Sequence, residues 1–326
     1  MSYRSFLFSI AVAGMAGLVS PALAETPTGP AAVAYQQAPD IYRFPLGKLE
    51  IVALSDGTVP QDLHQLLTDT KPADVDDLLD RSYLANPVEA SINAYLIRDD
   101  TRRILVDTGS GQLFGPGYGG KLVDSLASVG TKPEDITDIL ITHVHTDHTG
   151  GLVADGQRAF PNATIHVGKP DLDFFLDPSN AAKTGYAMKY FDEAAKTIGV
   201  YDKAGKVKPF ADGTAVLPGV VATIHPGHTP GSAFFTVTSE GRSIVFVGDI
   251  VHVAAVQFAN PGITIVYDVD AARAASVRQT AFADFVRDRQ LIAAPHLPFP
   301  GVGHVGARGN GSFGWFPVEY RNRAGQ

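Results

Sequence analysis

The chain of 326 residues contains no cysteine, only three methionines and one tryptophan. The absence of cysteine excludes disulfides, thiolate nucleophiles and thiolate metal ligands. Charged residues make up only 18% of the chain and apolar residues 45%, a balance that excludes a disordered polymer. The 26 lysines and arginines are outnumbered by 34 acidic residues, giving a net charge of −8, which does not favour a nucleic-acid partner.

The N-terminus has the pattern of a secretory signal peptide over residues 1–24. Arg4 supplies a positive charge, residues 6–19 are apolar, and Ala22-Leu23-Ala24 offers small residues for cleavage. A membrane anchor is the alternative, but the apolar run is shorter than the ~20 residues of a spanning helix. No second apolar stretch reaches that length. We therefore expect a secreted protein of a bacterial periplasm, without stable membrane insertion.

The rest of the chain is predicted to be an N-terminal arm, residues 25–45, and one domain, residues 46–326. Within that domain, residues 91–107 and 232–249 share one pattern, a strand, a turn and a second strand that ends at an aspartate. Candidate helices cover residues 120–128, 186–197 and 271–289. Two such halves favour an α/β fold with two sheets packed face to face and helices outside. A homodimer is left open, because periodicity locates no face for it.

A histidine-rich loop carries the chemistry. His143-Val144-His145-Thr146-Asp147-His148 places four potential metal ligands within six residues, directly after a buried strand. Such a pattern arises by chance in on the order of one such chain in a thousand or fewer, so it indicates a metal site. Imidazole and carboxylate ligands without sulfur suit zinc, and also manganese, iron or cobalt.

Further ligands are needed to complete two metal sites. His228 lies in a Gly/Pro-rich loop after a strand of the second half, where His225 competes with it. Asp249 ends a strand and could bridge two ions, and His296 follows the buried run 291–294.

Together these motifs resemble the metallo-β-lactamase superfamily over essentially the whole mature chain. The resemblance implies an αββα sandwich with two mixed sheets and a binuclear centre. One ion would be held by His143, His145 and His228, and the other by Asp147, His148 and His296. Asp249 would bridge them, and we expect Asp147 and Asp249 to be the catalytic residues. Asp107 matches a position that steadies a histidine ligand from outside the ligand set.

A binuclear centre of this kind points to hydrolysis. A bound metal ion can lower the pKa of water from 15.7 to about 7, which supplies a nucleophile at neutral pH. The chemistry suits esters, lactones, amides and phosphate triesters alike. The substrate is therefore expected to be a small molecule.

Segments 53–58, 113–116, 253–258 and 298–304 look like the methyl parathion hydrolase group of this superfamily. That group comprises exported binuclear enzymes that hydrolyse organophosphate triesters and, in related members, lactones and aryl esters. The resemblance implies an aromatic-lined pocket, for which the candidates are Phe114, Phe175, Tyr190 and Phe191.

Two candidate pocket residues, His252 and Tyr267, favour one branch of that group. Their polar tips stand where a dedicated phosphotriesterase is expected to have an aliphatic wall, and a lactone is flat whereas a triester is tetrahedral. We therefore predict a lactonase or arylesterase with promiscuous organophosphate hydrolysis. A dedicated phosphotriesterase is the alternative, followed by a β-lactamase. A nuclease, a redox enzyme and a purely structural metal site are the weaker competitors.

Overall fold

The computed structural model describes residues 41–322. The predicted signal peptide and residues 25–40 of the predicted arm lie outside the described residues. The arm prediction is wrong for residues 41–45, which belong to a β-strand, Ile41–Leu46. That strand pairs antiparallel with the next one, and its Tyr42 and Leu46 are buried, so burial of alternate side chains keeps this segment in the sheet.

Strands dominate the described chain. They are β1 (Ile41–Leu46), β2 (Leu49–Gln61), β3 (Leu67–Thr68), β4 (Val88–Arg98), β5 (Arg103–Val106), β6 (Asp138–Ile141), β7 (Val153–Ala154), β8 (Gln157–Arg158), β9 (Thr164–Gly168), β10 (Val207–Phe210), β11 (Thr214–Leu217), β12 (Val220–Ile224), β13 (Ala233–Ser239), β14 (Arg242–Phe246), β15 (Thr264–Ile265), β16 (Leu291–Ala293), β17 (Val302–Gly309) and β18 (Ser312–Pro317).

The α-helices are α1 (Leu63–Leu66), α2 (Pro72–Asp80), α3 (Leu122–Ser128), α4 (Thr146–Thr149), α5 (Lys169–Phe175), α6 (Ser179–Thr184), α7 (Met188–Lys196), α8 (Ile198–Lys203), α9 (Ala254–Gln257) and α10 (Ala271–Arg287). The three candidate helices of the sequence correspond to α3, α7 and α10. None of the helices within residues 41–322 combines the length and apolarity that a membrane crossing requires.

Two seven-stranded mixed sheets form the centre of the fold. Their strand orders are β1-β2-β4-β5-β6-β9-β10 and β11-β12-β13-β14-β16-β17-β18. The two predicted hairpins are β4–β5 and β13–β14, each antiparallel and one in each sheet. The predicted αββα class is confirmed.

The core lies in layers that the strand alternation creates. Along β2, Ile51 and Ala53 join the cluster that also contains Phe235 and Val237 of the other sheet, so this cluster fills the space between the sheets. Val52 points the opposite way, into a cluster shared with helices α3, α5, α7 and α8. Both faces of these strands are therefore apolar, as in sheets covered on each side.

The topology collects polar loops at one edge. Strands β5, β6 and β9 run parallel, as do β14 and β16, while β12 and β14 both run antiparallel to β13. The carboxyl ends of β5, β6, β12, β14 and β16 carry the predicted ligand loops.

Candidate metal centre

Three histidine nitrogens converge where the loop after β6 meets the loop after β12. The His145 Nδ1 atom lies 3.1 Å from His143 Nε2 and 3.0 Å from His228 Nε2, and the two Nε2 atoms are 3.2 Å apart. All three side chains are buried. The structure thus brings His228 to this group, whereas His225 stacks on the Phe234 ring at 3.8 Å instead.

The other ring nitrogens are engaged by groups that fix the tautomers. The Nδ1–H of His228 donates to Asp268 at 2.8 Å. The hydroxyl of Tyr186 donates to the Tyr267 carbonyl at 2.8 Å, so it accepts from the Nε2–H of His145, also at 2.8 Å. The nitrogens of His228 and His145 that face one another are thereby left as lone pairs. Lone pairs at 3 Å repel each other unless a positive charge lies between them, and a metal cation fits this arrangement.

Burial also keeps two of these histidines in the neutral form that binds a metal ion. It lowers the pKa of His143 and His145 well below the ordinary value, which keeps both imidazoles neutral, as metal ligands must be. Burial alone would also lower the pKa of His228, but hydrogen bonding and charge from Asp249 and Asp268 outweigh it and raise that pKa to about 9. The buried carboxylates therefore demand positive charge here, from a proton or from a metal ion.

A second group lies beside the first and consists of Asp147, His148 and His296. The Nε2 atom of His296 lies 3.3 Å from Asp147 Oδ2, and the Nε2 atom of His148 lies 3.7 Å from Asp147 Oδ1. The Nδ1–H of His296 donates to the Ser91 carbonyl at 2.9 Å. This bond leaves the His296 Nε2 lone pair facing the group.

Asp249 lies between the two groups. Its Oδ2 is 3.4 Å from His228 Nε2 and 3.1 Å from His296 Nε2, and its Oδ1 is 3.2 Å from His148 Nε2. The Asp249 Oδ1 and His148 Nε2 atoms are buried and have no hydrogen-bond partner within the described residues. Since unpartnered buried polar atoms are rare, these two atoms fit the role of metal ligands. The geometry suits a binuclear divalent centre with Asp249 as the bridge.

Asp107 stands at the end of β5 with a left-handed backbone, φ 58°. It accepts hydrogen bonds from the Thr142 backbone N–H and hydroxyl, each at 2.8 Å, and from His148 Nδ1 at 2.9 Å. The strained conformation of a non-glycine residue is thus held by three hydrogen bonds. The structure places Asp107 where the resemblance implied, behind a histidine of the second group.

The sequence reasoning missed Asp268 and Tyr186, which orient His228 and His145. Behind Asp268, the buried Arg278 donates to three backbone carbonyls and lies 3.9 Å from the carboxylate. An acidic residue next to the candidate pocket residue Tyr267 was the available signal. Asp270 follows two residues later, and the sequence does not say which of the two aspartates reaches His228.

A cavity of about 640 Å³ opens onto the cluster. Asp147, Asp249 and His296 form part of its wall, together with four of the six predicted pocket residues: Phe114, Tyr190, His252 and Tyr267. The cavity also has polar and apolar walls that the sequence did not indicate, among them Gln61, Gln65, Leu113, Tyr118, Lys189 and Glu193.

The pocket prediction is wrong for Phe175 and Phe191. Both are buried in the core beneath the first sheet. Phe175 packs edge-on against His145, with ring centroids 5.6 Å apart, and so supports a ligand from behind. Consecutive helix residues point about 100° apart, so Tyr190 on α7 reaches the cavity while Phe191 turns into the core.

His252 reaches the centre from the cavity side. Its Nε2 atom lies 3.1 Å from Asp249 Oδ2, and its ring stacks on His296 with centroids 5.3 Å apart. Neither ring nitrogen has a hydrogen-bond partner among residues 41–322. His252 is therefore a further buried imidazole beside Asp249 and His296, with which it forms a third group of possible metal ligands.

Asp56, a further buried aspartate, shapes the cavity without lining it. Asp56 lies at a bulge of β2 and accepts hydrogen bonds from the backbone N–H groups of Ser110, Gly120 and Leu122. These bonds anchor both ends of the loop that carries Phe114 and Tyr118. A side chain at Gly119 would place its Cβ 1.9 Å from the Ser110 hydroxyl, so only glycine fits this close approach.

The metallo-beta-lactamase superfamily model matches residues 88–296, more than half of the chain and every residue of the cluster. The chain belongs to the metallo-beta-lactamase superfamily. The resemblance seen in the sequence is thereby confirmed.

Two solved structures of this superfamily are similar over most of the chain. The hydrolase AbOPH is 35% identical, with a TM-score of 0.83, over 88% of this chain and 100% of its own. AidC, a dizinc quorum-quenching lactonase solved with the product N-hexanoyl-L-homoserine, is 27% identical, with a TM-score of 0.80, over 87% and 99%.

Curated relatives match over shorter stretches. A ribonuclease of Thermus thermophilus, TTHA0252, is 28% identical over 171 residues, 50% of this chain and 36% of the relative. Several N-acyl homoserine lactonases match as well. The matched part of the chain covers 36% of the ribonuclease and 41% and 38% of two N-acyl homoserine lactonases, those of Agrobacterium fabrum and Rhizobium radiobacter. The lactonase and hydrolase likenesses support the prediction of a metal-dependent hydrolase of ester bonds.

Proposed function

We propose that this superfamily member is a lactonase that also cleaves aryl esters. The observation that carries the proposal is the wall of the cavity, where the Asp249-centred cluster lies beside His252 and Tyr267. In this proposal a flat ester would lie between the aromatic side chains and present its carbonyl to the cluster. The likeness to AidC over nearly the whole of both chains supports this choice.

The metal ions and the carboxylates of the site have different roles in hydrolysis. The cations, which we propose to be zinc, with manganese, cobalt or iron as alternatives, supply Lewis acidity and lower the pKa of water when bound. Asp147 and Asp249 hold negative charge at the centre of the cluster. Hydrolysis adds water to the acyl carbon and breaks the ring C–O bond, so the leaving alkoxide needs a proton.

Tyr267 is the candidate to provide that proton. Burial raises the pKa of Tyr267, so its hydroxyl keeps its proton and remains a donor at neutral pH. His252 lines the same wall, where burial lowers the pKa of its imidazole and keeps the ring neutral at neutral pH. A tetrahedral triester needs room on three sides, and we propose that it fits beside these two side chains less well than a flat lactone does.

The test compares kcat/KM of the metal-loaded protein for dihydrocoumarin, a p-nitrophenyl ester and methyl parathion. We expect the lactone and the ester to exceed methyl parathion by at least about tenfold, a difference of ~1.4 kcal/mol in transition-state stabilisation. Dominant turnover of methyl parathion would instead establish the second candidate, a phosphotriesterase. RNA serves as a further substrate, because of the ribonuclease relative, and the net charge of −8 predicts no cleavage.

Export to a bacterial periplasm is part of the proposal and rests on residues 1–24 alone. Fractionation of a bacterium that expresses the full chain, with mass measurement of the mature N-terminus, tests it. Recovery of the uncleaved chain in the cytoplasm would contradict it. The homodimer stays a prediction.

A further inference from the structure

His252 lies against the bridging carboxylate, although the resemblance seen in the sequence assigns it to neither ion. Its backbone is held by the buried Gln257, whose Oε1 accepts hydrogen bonds from the backbone N–H groups of His252 at 2.7 Å and Val253 at 3.3 Å. The His252 Nε2 atom lies 3.1 Å from Asp249 Oδ2, the same distance as His296 Nε2. His252 is thus as close to the bridge as a member of the second group is.

A hydrogen bond to Asp249 does not satisfy this imidazole. Despite the separation of 3.1 Å, neither ring nitrogen of His252 has a hydrogen-bond partner within residues 41–322, so the N–H direction misses the carboxylate. Both nitrogens are also closed off from solvent, as are His148 Nε2 and Asp249 Oδ1, which fit the role of metal ligands. The same reasoning gives His252 a cation as its partner, because a buried imidazole lone pair otherwise stays unpaired.

A set of three donors is available for that cation. One donor atom from each of Asp249, His252 and His296 lies within 4.8 Å of the other two. Zinc binds such atoms at about 2.0–2.2 Å, so two donors on one tetrahedral ion lie roughly 3.3 Å apart. The two distances of 3.1 Å from Asp249 Oδ2 fit this spacing. The two imidazole rings are stacked with an angle of 13° between their planes, and both present Nε2 to the same oxygen.

This set and the second group cannot each hold an ion at the same time. Both include His296, whose Nδ1–H donates to the Ser91 carbonyl, so this residue offers one lone pair, at Nε2. The two sets therefore describe alternative positions of a single ion. One position lies on the side of His148 and Asp249 Oδ1, and the other lies on the side of His252 and Oδ2.

We propose that His252 is an auxiliary metal ligand, which gives the second ion a further position between Asp249, His252 and His296. The position takes a divalent cation such as zinc. Unlike His228 and His148, His252 has no acceptor on its other ring nitrogen within the described residues, so it binds the ion more weakly than ligands oriented in that way. The ion therefore occupies this position mainly when a ligand of the second group is lost. The inference concerns the metal centre alone and is the same for a lactone or a triester substrate.

Zinc affinity measured in a double-mutant cycle tests the proposal. Asp147→Ala removes a ligand of the second group, and His252→Phe removes the auxiliary ligand but keeps a ring of similar size. Competition with a chromophoric chelator gives the dissociation constant of the more weakly bound of the two ions. His252→Phe should weaken this ion by a factor at least about tenfold larger in the Asp147→Ala background than in the wild type, because the two ligands serve one ion in alternative positions. His225→Phe is the matched control and should have no effect in either background, since His225 stacks on Phe234 outside the cluster.

Cobalt provides a readout that counts ligands directly. In the cobalt-loaded protein, the ring N–H proton of each coordinated imidazole is shifted far outside the usual range of the proton NMR spectrum. Asp147→Ala should show one such signal that the double variant Asp147→Ala/His252→Phe lacks, besides those of the five histidines of the first two groups.

An equal weakening by His252→Phe in both backgrounds, or cobalt spectra that are the same with and without His252, would overturn the proposal and leave His252 as a packing residue. Binding of a single ion by the wild type would overturn it as well, as would complete loss of the second ion from Asp147→Ala alone. Far-ultraviolet circular dichroism checks that each variant folds. If Asp147→Ala does not fold, Asp147→Asn, which keeps the shape of the side chain, takes its place in the cycle.

Discussion

At the scale of single residues, the centre depends on hydrogen-bond acceptors that bind no metal. Three of the histidines have the ring nitrogen that faces away from the cluster fixed by an acceptor: Asp268 for His228, Asp107 for His148 and a backbone carbonyl for His296. Such partners set the tautomer and raise the basicity of the ligand. Their loss weakens metal binding even though no ligand is removed.

Asp268→Asn should lower the affinity for zinc about 10–100-fold, because the carboxylate that polarises His228 becomes neutral. Competition with a chromophoric chelator measures this affinity. Asp270→Asn is the matched control, since Asp270 is exposed and caps α10 by accepting from Arg273, which asparagine also does. Equal zinc affinity in the two variants would show that Asp268 does not orient His228.

The sequence predicted the cluster members well and their surroundings poorly. Histidines and aspartates at close spacing after a strand form a pattern that local sequence contains. Asp268 approaches His228 from 40 residues away, and only the tertiary fold brings them together. The prediction that Phe175 and Phe191 line the pocket was wrong for a related reason. An aromatic residue close to a site in the sequence can pack behind the site as well as line it.

At the scale of elements, Asp171 on α5 joins the two histidine loops. It accepts from the Val144 N–H in the loop after β6, and from the Thr229 hydroxyl and the Gly231 N–H in the loop after β12. A Cβ at Gly231 would lie 2.5 Å from the Asp171 backbone nitrogen, so the helix and the loop touch without side chains between them.

This carboxyl predicts a pH dependence of stability. Burial raises the pKa of Asp171 from 3.8 to about 6. At pH 5 the folded state therefore holds a proton that the unfolded chain releases, and the stabilisation present below pH 4 is lost as the pH rises to about 6. The free energy of unfolding of the wild type relative to Asp171→Asn should fall by about 2 kcal/mol between pH 4 and pH 6.

Urea unfolding of the metal-free proteins at pH 4, 5 and 6 measures that difference. Asp173→Asn provides the control on the same helix, because Asp173 is exposed and pairs with Lys169 on the surface. Its relative stability should vary by less than ~1 kcal/mol. A constant gap between wild type and Asp171→Asn would mean that the three hydrogen bonds keep the carboxyl ionised.

Long, regular elements were predictable and short, edge ones were not. The hairpins β4–β5 and β13–β14 and the helices α3, α7 and α10 have clear periods and turn residues. The edge strand β1 contains Pro45 and follows a Pro-rich stretch, so its local sequence resembles an arm. Its place is set by pairing with β2, which local sequence does not encode.

At the scale of the whole molecule, the apolar clusters contribute no ligand to the metal centre, although Phe175 of one cluster packs against His145. The cluster between the sheets and those beneath each sheet consist of apolar side chains and contain no ligand. We therefore expect a chelator to abolish hydrolysis while the far-ultraviolet circular dichroism is retained. The melting temperature should fall by roughly 10 °C, since tight ligands contribute about 4 kcal/mol to stability.

Zinc added back should restore both activity and melting temperature, which separates metal loss from damage by the chelator. Loss of the circular dichroism signal on chelation would instead show that the metal ions are required for folding. Retained hydrolysis would contradict the catalytic role of the centre.

The ligands are far apart along the chain. In the first group, His143 and His228 are 85 residues apart, and in the second group Asp147 and His296 are 149 residues apart. Ions bound at both groups would tie the first sheet to the second at these distant points, as disulfides do in other proteins. In a chain without cysteine, such cross-links are reversible, and their strength follows the free zinc concentration of the surroundings rather than the redox state.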